Sequence, residues 1–280
     1  MSAGRGKLSA MLVHFVLLLV VLASLLPFFV MVFGSLKHTS ELASNPGGFP
    51  AHPTLRNYSD LFSYNGGAMI RAFFNAVFVS GAHTVLTLCV SVIAAFAFAK
   101  YSFIGRNTIF VLLMATMMVP LEITIPPQYI IFSKIHWLDT YWVQIVPGIA
   151  NVFAMFMLVQ FLQSISNTLI EAGRIDGAGH NAVFARIILP MLTPAISSLG
   201  ILVFIGKWND YLWPSIMLKS AHMFPILILL PTLSIGGNQF IIPWGLVLAG
   251  CVVVTLPIII LFLLFQEKFM SSMTVGAIKE

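Results

Sequence analysis

Apolar residues in this chain fall in long blocks separated by short polar breaks. Each block is about 20 residues, the length an α-helix needs to cross a hydrocarbon layer about 30 Å thick. The alternating decads of a membrane β-barrel are absent. The pattern predicts an all-α integral membrane fold with six transmembrane helices. The first runs from about His14 to Gly34, kinkable at Pro27. A polar stretch rich in Pro, Gly and Asn, Ser35 to Ala68, reads as a long loop with at most a short interfacial piece. The second helix covers about Ile70 to Lys100, and its small residues Ser80, Gly81, Ala94, Ala95, Ala97 and Ala99 admit close neighbours. The third covers about Thr108 to Val119, with Pro120, Pro126 and Pro127 interrupting a less regular continuation to Phe132. The fourth covers about Tyr141 to Phe161, the fifth Met191 to Met217 and the sixth Trp244 to Glu267.

Composition agrees with a membrane solvent. Of 280 residues, 59% are hydrophobic and 8% charged, against roughly 25% charged in a soluble domain. The net charge of +5 is spread singly between apolar blocks, with no basic patch interleaved with stacking aromatics, so it is no nucleic-acid footprint. It reads instead as orientation. With the N-terminus inside, Arg5, Lys7, Lys100, Arg106, Arg174, Arg186, Lys268 and Lys279 are cytoplasmic. Lys37, Arg56, Arg71, Lys134 and Lys219 fall outside, and Lys207 lies within the fifth helix. Both termini and the 162–190 segment are then expected in the cytoplasm. The apolar run Met11 to Phe33 is longer than a signal-peptide core and no A-x-A-like site follows it, so it reads as a retained helix. Cys89 and Cys251 sit in apolar blocks without CxxC or Cys/His spacing, as buried small hydrophobes rather than a disulfide or metal pair. No internal repeat is visible, which weighs against inverted-repeat transporters.

The polar segment Glu171 to Pro190 reads EAGRIDGAGHNAVFARIILP, and its local chemistry predicts a helix–turn–helix in water. Thr168 and Glu171 have capping-box spacing, so a helix begins near Leu169. Gly177-Ala178-Gly179 is a natural break. Asn181 can cap a second short helix whose Phe184, Ile187 and Ile188 share one face. Pro190 and Pro194 then lead into the fifth helix. A helix pair joined to a membrane helix acts as a lever: one face docks a partner and the rear face transmits its motion.

This segment resembles the EAA motif of importer permeases in the ATP-binding-cassette (ABC) superfamily. Glu171, Ala172, Gly177, Ile187, Leu189 and Pro190 match at the right spacing, while Gly173 departs from the usual second Ala. Ala94 to Lys100, Phe103 with Gly105-Arg106, Met118-Val119-Pro120, Trp208 to Tyr211 and Gly276 to Lys279 resemble, in order, the carbohydrate-uptake branch similar to the maltose importer's smaller membrane subunit. The resemblance implies one transmembrane domain over 1–280, with a core over 70–267 and a coupling segment over 167–190. It implies a bacterial inner-membrane permease that pairs with a second homologous permease, two ATPase subunits and an extracytoplasmic sugar-binding protein, and forms half of the path for a sugar or related polyol or sugar phosphate. Glu171, Ala172, Gly173, Asp176, Gly177, Ile187, Leu189 and Pro190 would couple to the ATPase. The chain has no G-x-x-x-x-G-K-[ST] loop, so ATP and Mg²⁺ would be held by the partners, with no catalytic residue, metal or cofactor in this chain.

Other candidates keep two readings each. Lys207, Asn209, Asp210 and Tyr211 lie in or beside a membrane helix, where charge is by default functional, and so are candidates for the path. Lys207 and Asp210 can equally form an i, i+3 pair at the outer interface. Gly236, Gly237, Asn238 and Gln239 form the tip of a loop that resembles the branch's contact with the binding protein; an exposed turn is the alternative. The tail Ser271 to Glu280 resembles one that reaches the ATPase subunits, against a frayed terminus. Ser80 and His83 share a turn, but no orienting third residue accompanies them, so packing is the expected role. Glu122 lines the path or reaches the interface.

Overall fold

The computed structural model describes the backbone of residues 2–234 and 242–277, and the side chains of 11–234 and 242–266. The described residues are helical, without strands. Four helical stretches, Met11–Ser35, Ala68–Lys100, His180–Trp208 and Trp244–Gln266, are long and apolar enough to cross a membrane. Two bent pairs, Arg106–Thr116 with Leu121–Lys134 (97°) and Val152–Ser164 with Asn167–Ile175 (72°), bring the number to six if each is one span.

The chain divides into two compact units, residues 1–70 with 229–256 and residues 71–228 with 257–280. In the first, α1 (Ser2–Ser35) carries Pro27 inside it and is followed by α2 (Thr39–Ser44) and α3 (Arg56–Ser63). The stretch expected as a loop is therefore partly helical, and Lys37 organises it. Its fully buried side chain donates from Nζ to the carbonyls of Asn45 and Gly48, both at 2.6 Å. A buried ammonium without acceptors would be prohibitively costly, and these carbonyls supply them. Asn57 Nδ2 donates to Ser35 O and Lys37 O at 2.8 Å, closing α3 onto the end of α1.

In the second unit, α4 (Ala68–Lys100) buries a stripe of small residues: Ser80, Thr84, Thr87, Ser91 and Ala95. Their spacing of three and four residues places them on one helix face, where short side chains let neighbours approach. Val92 and Ala95 pack with Leu158, Leu162, Leu192 and Leu199 in one apolar core. His83 is buried with its Nδ1 2.8 Å from Ile145 O, which ties α4 to the end of the short helix Tyr141–Ile145.

The breaks differ from the sequence reading. The third span is cut between α5 (Arg106–Thr116) and α6 (Leu121–Lys134), but Pro126 and Pro127 lie inside α6. Pro120 makes the break, because the residue before a proline is driven out of the helical region. The expected fourth helix is two: α7 (Tyr141–Ile145) and α8 (Val152–Ser164). Gly148, at φ +85°, turns the chain between them, and Asn151 Oδ1 caps α8 by accepting from Ala154 N at 2.9 Å.

Asp139, between α6 and α7, is a second organising residue. Its carboxylate accepts from the amides of Lys219 (3.0 Å) and Ser220 (2.9 Å) and from the Ser220 hydroxyl, while its own amide donates to Met217 O at 3.0 Å. Burial alone would raise its pKa, but the Ser220 hydroxyl, the two amides and nearby His222 hold the carboxyl below its ordinary value. A carboxylate depressed in the folded state stabilises above its unfolded pKa, near 4, and that contribution disappears as pH falls through the lowered folded value. Asp139→Asn should therefore melt below the native protein at pH 7, with the gap closing as pH falls below about 4. A pH-independent gap in melting temperature would contradict this account.

Candidate functional site

The polar break between α8 and the last long helical body of the second unit forms a helical hairpin. α9 (Asn167–Ile175) starts at Ser166, whose Oγ accepts from Thr168 N at 3.2 Å. The cap is thus Ser166 rather than Thr168: Ile165 and Ser166 are both extended, so the helix begins earlier than the capping-box spacing indicates. At the other end Gly177 takes φ +85°, its amide bonds Arg174 O at 3.0 Å, and the Ala178 amide bonds Gly173 O at 2.9 Å. This pair of bonds is the Schellman arrangement, which satisfies the last free carbonyls and favours glycine at the left-handed position. The break read at Gly177-Ala178-Gly179 is present.

The return arm starts as α10 (His180–Val183) with Gly179 at its cap, not Asn181. It continues through a π turn, Phe184–Ile188, into α11 (Leu189–Trp208). The π turn has a local cause. Pro190 offers no amide to the carbonyl four residues back and its ring presses on that carbonyl; widening the turn relieves both. The return arm and the span are consequently one helical body from His180 to Trp208.

The hairpin has two distinct faces. Ile170, Gly173, Val183 and Ile188 are buried, and the apolar ones among them join the core that contains Val92, Ala95, Leu158 and Leu192. Glu171, Ala172, Arg174, Asp176 and Gly177 are exposed at the tip, together with Ile175 at 86% exposure. Ile175 was not among the residues picked from sequence. Its signal was an apolar side chain about 140° around the helix from Ile170, on the wrong side for the core. Ile187 is half-buried, while Leu189 and Pro190 are exposed.

Gly173 now has a reason to differ from alanine. A Cβ there would lie 2.6 Å from Ile187 Cδ1 and 3.6 Å from Val183 Cγ2, so the missing side chain seats the return arm against α9.

The remaining candidates separate. Lys207 Nζ donates to Asp210 Oδ2 at 3.0 Å, and Asp210 Oδ1 accepts from Trp213 N at 3.1 Å. The pair therefore ties the end of α11 to α12 (Leu212–Met217), splitting the expected fifth helix. The cavity beside it, lined by Ser80, Gln144, Lys207, Trp208 and Asp210, measures about 10 Å³, space for a single water rather than a larger solute. Asn209 and Tyr211 are exposed, as is Glu122 in the first turn of α6. Gly236, Gly237, Asn238 and Gln239 lie outside the described residues, as do the side chains of the tail.

Comparison with known proteins gives the family. Residues 87–275 match the family described as binding-protein-dependent transport system inner membrane component. The chain is 36% identical over 261 residues to the arabinooligosaccharides transport system permease protein AraQ of Bacillus subtilis (strain 168), covering 91% of this chain and 90% of that protein. It is 31% identical to the sulfoquinovosyl glycerol transport system permease protein SmoH of Agrobacterium fabrum, covering 91% and 89% of the two chains. A crystal structure of a bacterial ABC transporter involved in import of the acidic polysaccharide alginate shares the fold, with a TM-score of 0.83 over 95% of this chain and 98% of that one at 19% identity. With this match over the α4-to-α14 region, where α14 is Trp244–Ala277, and with its several membrane-length helices, the chain belongs to the family of inner-membrane components of binding-protein-dependent transport systems.

Proposed function

We propose that this chain is the permease subunit of an ATP-driven importer for a sugar or related glycoside, contributing half of the path and coupling ATPase motion to alternating access. The observation that carries the reading is the two-faced hairpin. Its exposed tip offers Glu171, Ala172, Ile175 and Asp176 to a partner, and its rear face is built into the core of the spans. Because the return arm is continuous with α11, a push on the tip tilts a membrane helix instead of bending a loop. The solute class rests on relatives named for arabinooligosaccharides, sulfoquinovosyl glycerol and, in Rhizobium radiobacter, lactose.

In this reading α5 with α6 and α7 with α8 each make one span, both termini and the hairpin (α9 and α10) face the cytoplasm, and a second permease, two ATPase subunits and an external binding protein complete the machine. ATP and Mg²⁺ belong to the ATPase subunits. The test is co-purification of the chain with its neighbouring permease and ATPase, followed by uptake of a glycoside panel into proteoliposomes containing ATP. Recruitment of the ATPase and ATP-dependent uptake are expected, and Glu171→Lys should lower uptake at least about tenfold. Uptake that persists when hydrolysis is blocked would refute the proposal.

A further inference from the structure

The hairpin has a second attachment to the membrane helices, separate from its continuation into α11. Two consecutive residues at the end of α4 reach its two arms. Lys100 Nζ donates to Ile165 O at 2.7 Å and to Asn167 Oδ1 at 2.8 Å, holding the junction of α8 and α9. The next residue, Tyr101, places its hydroxyl 2.9 Å from His180 Nδ1, at the start of the return arm. Aromatic packing backs the second contact: the Phe96 ring lies 5.4 Å from Tyr101 and 5.0 Å from Phe184 between ring centroids, and Tyr101 lies 5.8 Å from His180.

The chemistry suits a tie that survives movement. Lys100 binds the carbonyl of Ile165, the residue that ends α8, and the Asn167 side chain in the first turn of α9, and charge-assisted bonds are the stronger kind. Lys100 is half-buried, and its bond to Ile165 O is partly shielded from water. Asn167, the first residue of α9, and His180, the first of α10, stand on opposite arms. A rigid displacement of the hairpin therefore pulls on both contacts together, and neither can relax by rotation about the other.

We infer that Lys100 and Tyr101 are positioning residues that carry the displacement of the coupling hairpin into α4, giving the ATPase stroke two membrane outputs, α11 through the chain and α4 through this clamp. The inference rests on the coupling role proposed above. It assigns α4, which contributes the buried small-residue stripe, a driven rather than a passive part in the transport cycle.

The test uses the complete assembly of both permeases and the ATPase subunits. Hydrogen–deuterium exchange is compared between the nucleotide-free form and the form trapped with ATP and vanadate. In the wild type, residues 165–180 and 95–105 should change together. In the Lys100→Met, Tyr101→Phe double variant the 165–180 response should persist while the 95–105 response falls at least about threefold, and Lys100→Arg should retain both. An unchanged 95–105 response in the double variant overturns the clamp alone. Absence of any 165–180 response in the wild type overturns the coupling reading, and the clamp with it. Should the double variant not assemble, Tyr101→Phe, which removes one oxygen, should halve the 95–105 response, and an undiminished response again overturns the clamp.

Discussion

Gly173→Leu should lower coupled uptake at least about tenfold, while Gly173→Ala stays within about twofold of the wild type. The two outcomes follow from what each added carbon meets. An alanine Cβ would come 2.6 Å from Ile187 Cδ1, the terminal methyl of a half-buried side chain that can move by a rotamer change. That strain, of order 0.5–1.5 kcal/mol, is offset by roughly 1 kcal/mol of gained helix propensity. Leucine adds three further carbons beside Ile187 and Val183, the latter 1% exposed. Overpacking of this kind costs about 1–3 kcal/mol, and the cheapest relief is separation of the two arms. An assembly whose arms no longer move as one body should hydrolyse ATP without importing solute. Measuring hydrolysis and uptake together in proteoliposomes decides it. Wild-type coupling in Gly173→Leu would mean that the arms need not pack for the stroke to pass.

The same residue shows what the sequence could and could not reveal. The helices Ile70–Lys100 and Trp244–Glu267 were legible because continuous apolar runs of membrane length have few alternatives. The hairpin was legible because Gly177 and Pro190 act through their own backbones. The breaks at Gly148 and at Asn209–Asp210 were not, although Pro147-Gly148 is a turn dipeptide, since the apolar runs around each fit one continuous membrane helix by hydropathy. Lys37, Lys100 and Asp139 carried no local signal of their structural roles, because the carbonyls, amides and side chains they bind lie 8 to 81 residues away. Ile175 is hidden in the sequence for the opposite reason. An apolar residue in a helical segment reads as core, and only the position of Ile170 and Gly173 on the buried face turns it outward.

Lys207 and Asp210 were the residues on which path and scaffold readings diverged, and paired substitution separates them. Lys207→Met alone should destabilise the protein by about 1.5–3 kcal/mol, the range for a hydrogen bond to a charged group, because the pair is partly shielded, its side chains 10% and 24% exposed. Asp210→Asn alone should cost a similar amount by leaving the ammonium without its carboxylate. The double variant removes both charges, and an asparagine Oδ1 can still accept from the Trp213 amide that Asp210 now holds. It should recover most of the thermal stability and import within about threefold of the wild type. The scaffold reading requires that recovery, because the pair's task is to fix the angle between α11 and α12 and neutral side chains of similar length can do so. A path contact requires the opposite: a solute hydroxyl bound by the ammonium or carboxylate would find no equivalent partner. A double variant that melts like the wild type yet imports nothing would therefore return Lys207 and Asp210 to the path, and the break after Trp208 would be a binding feature instead of a hinge support.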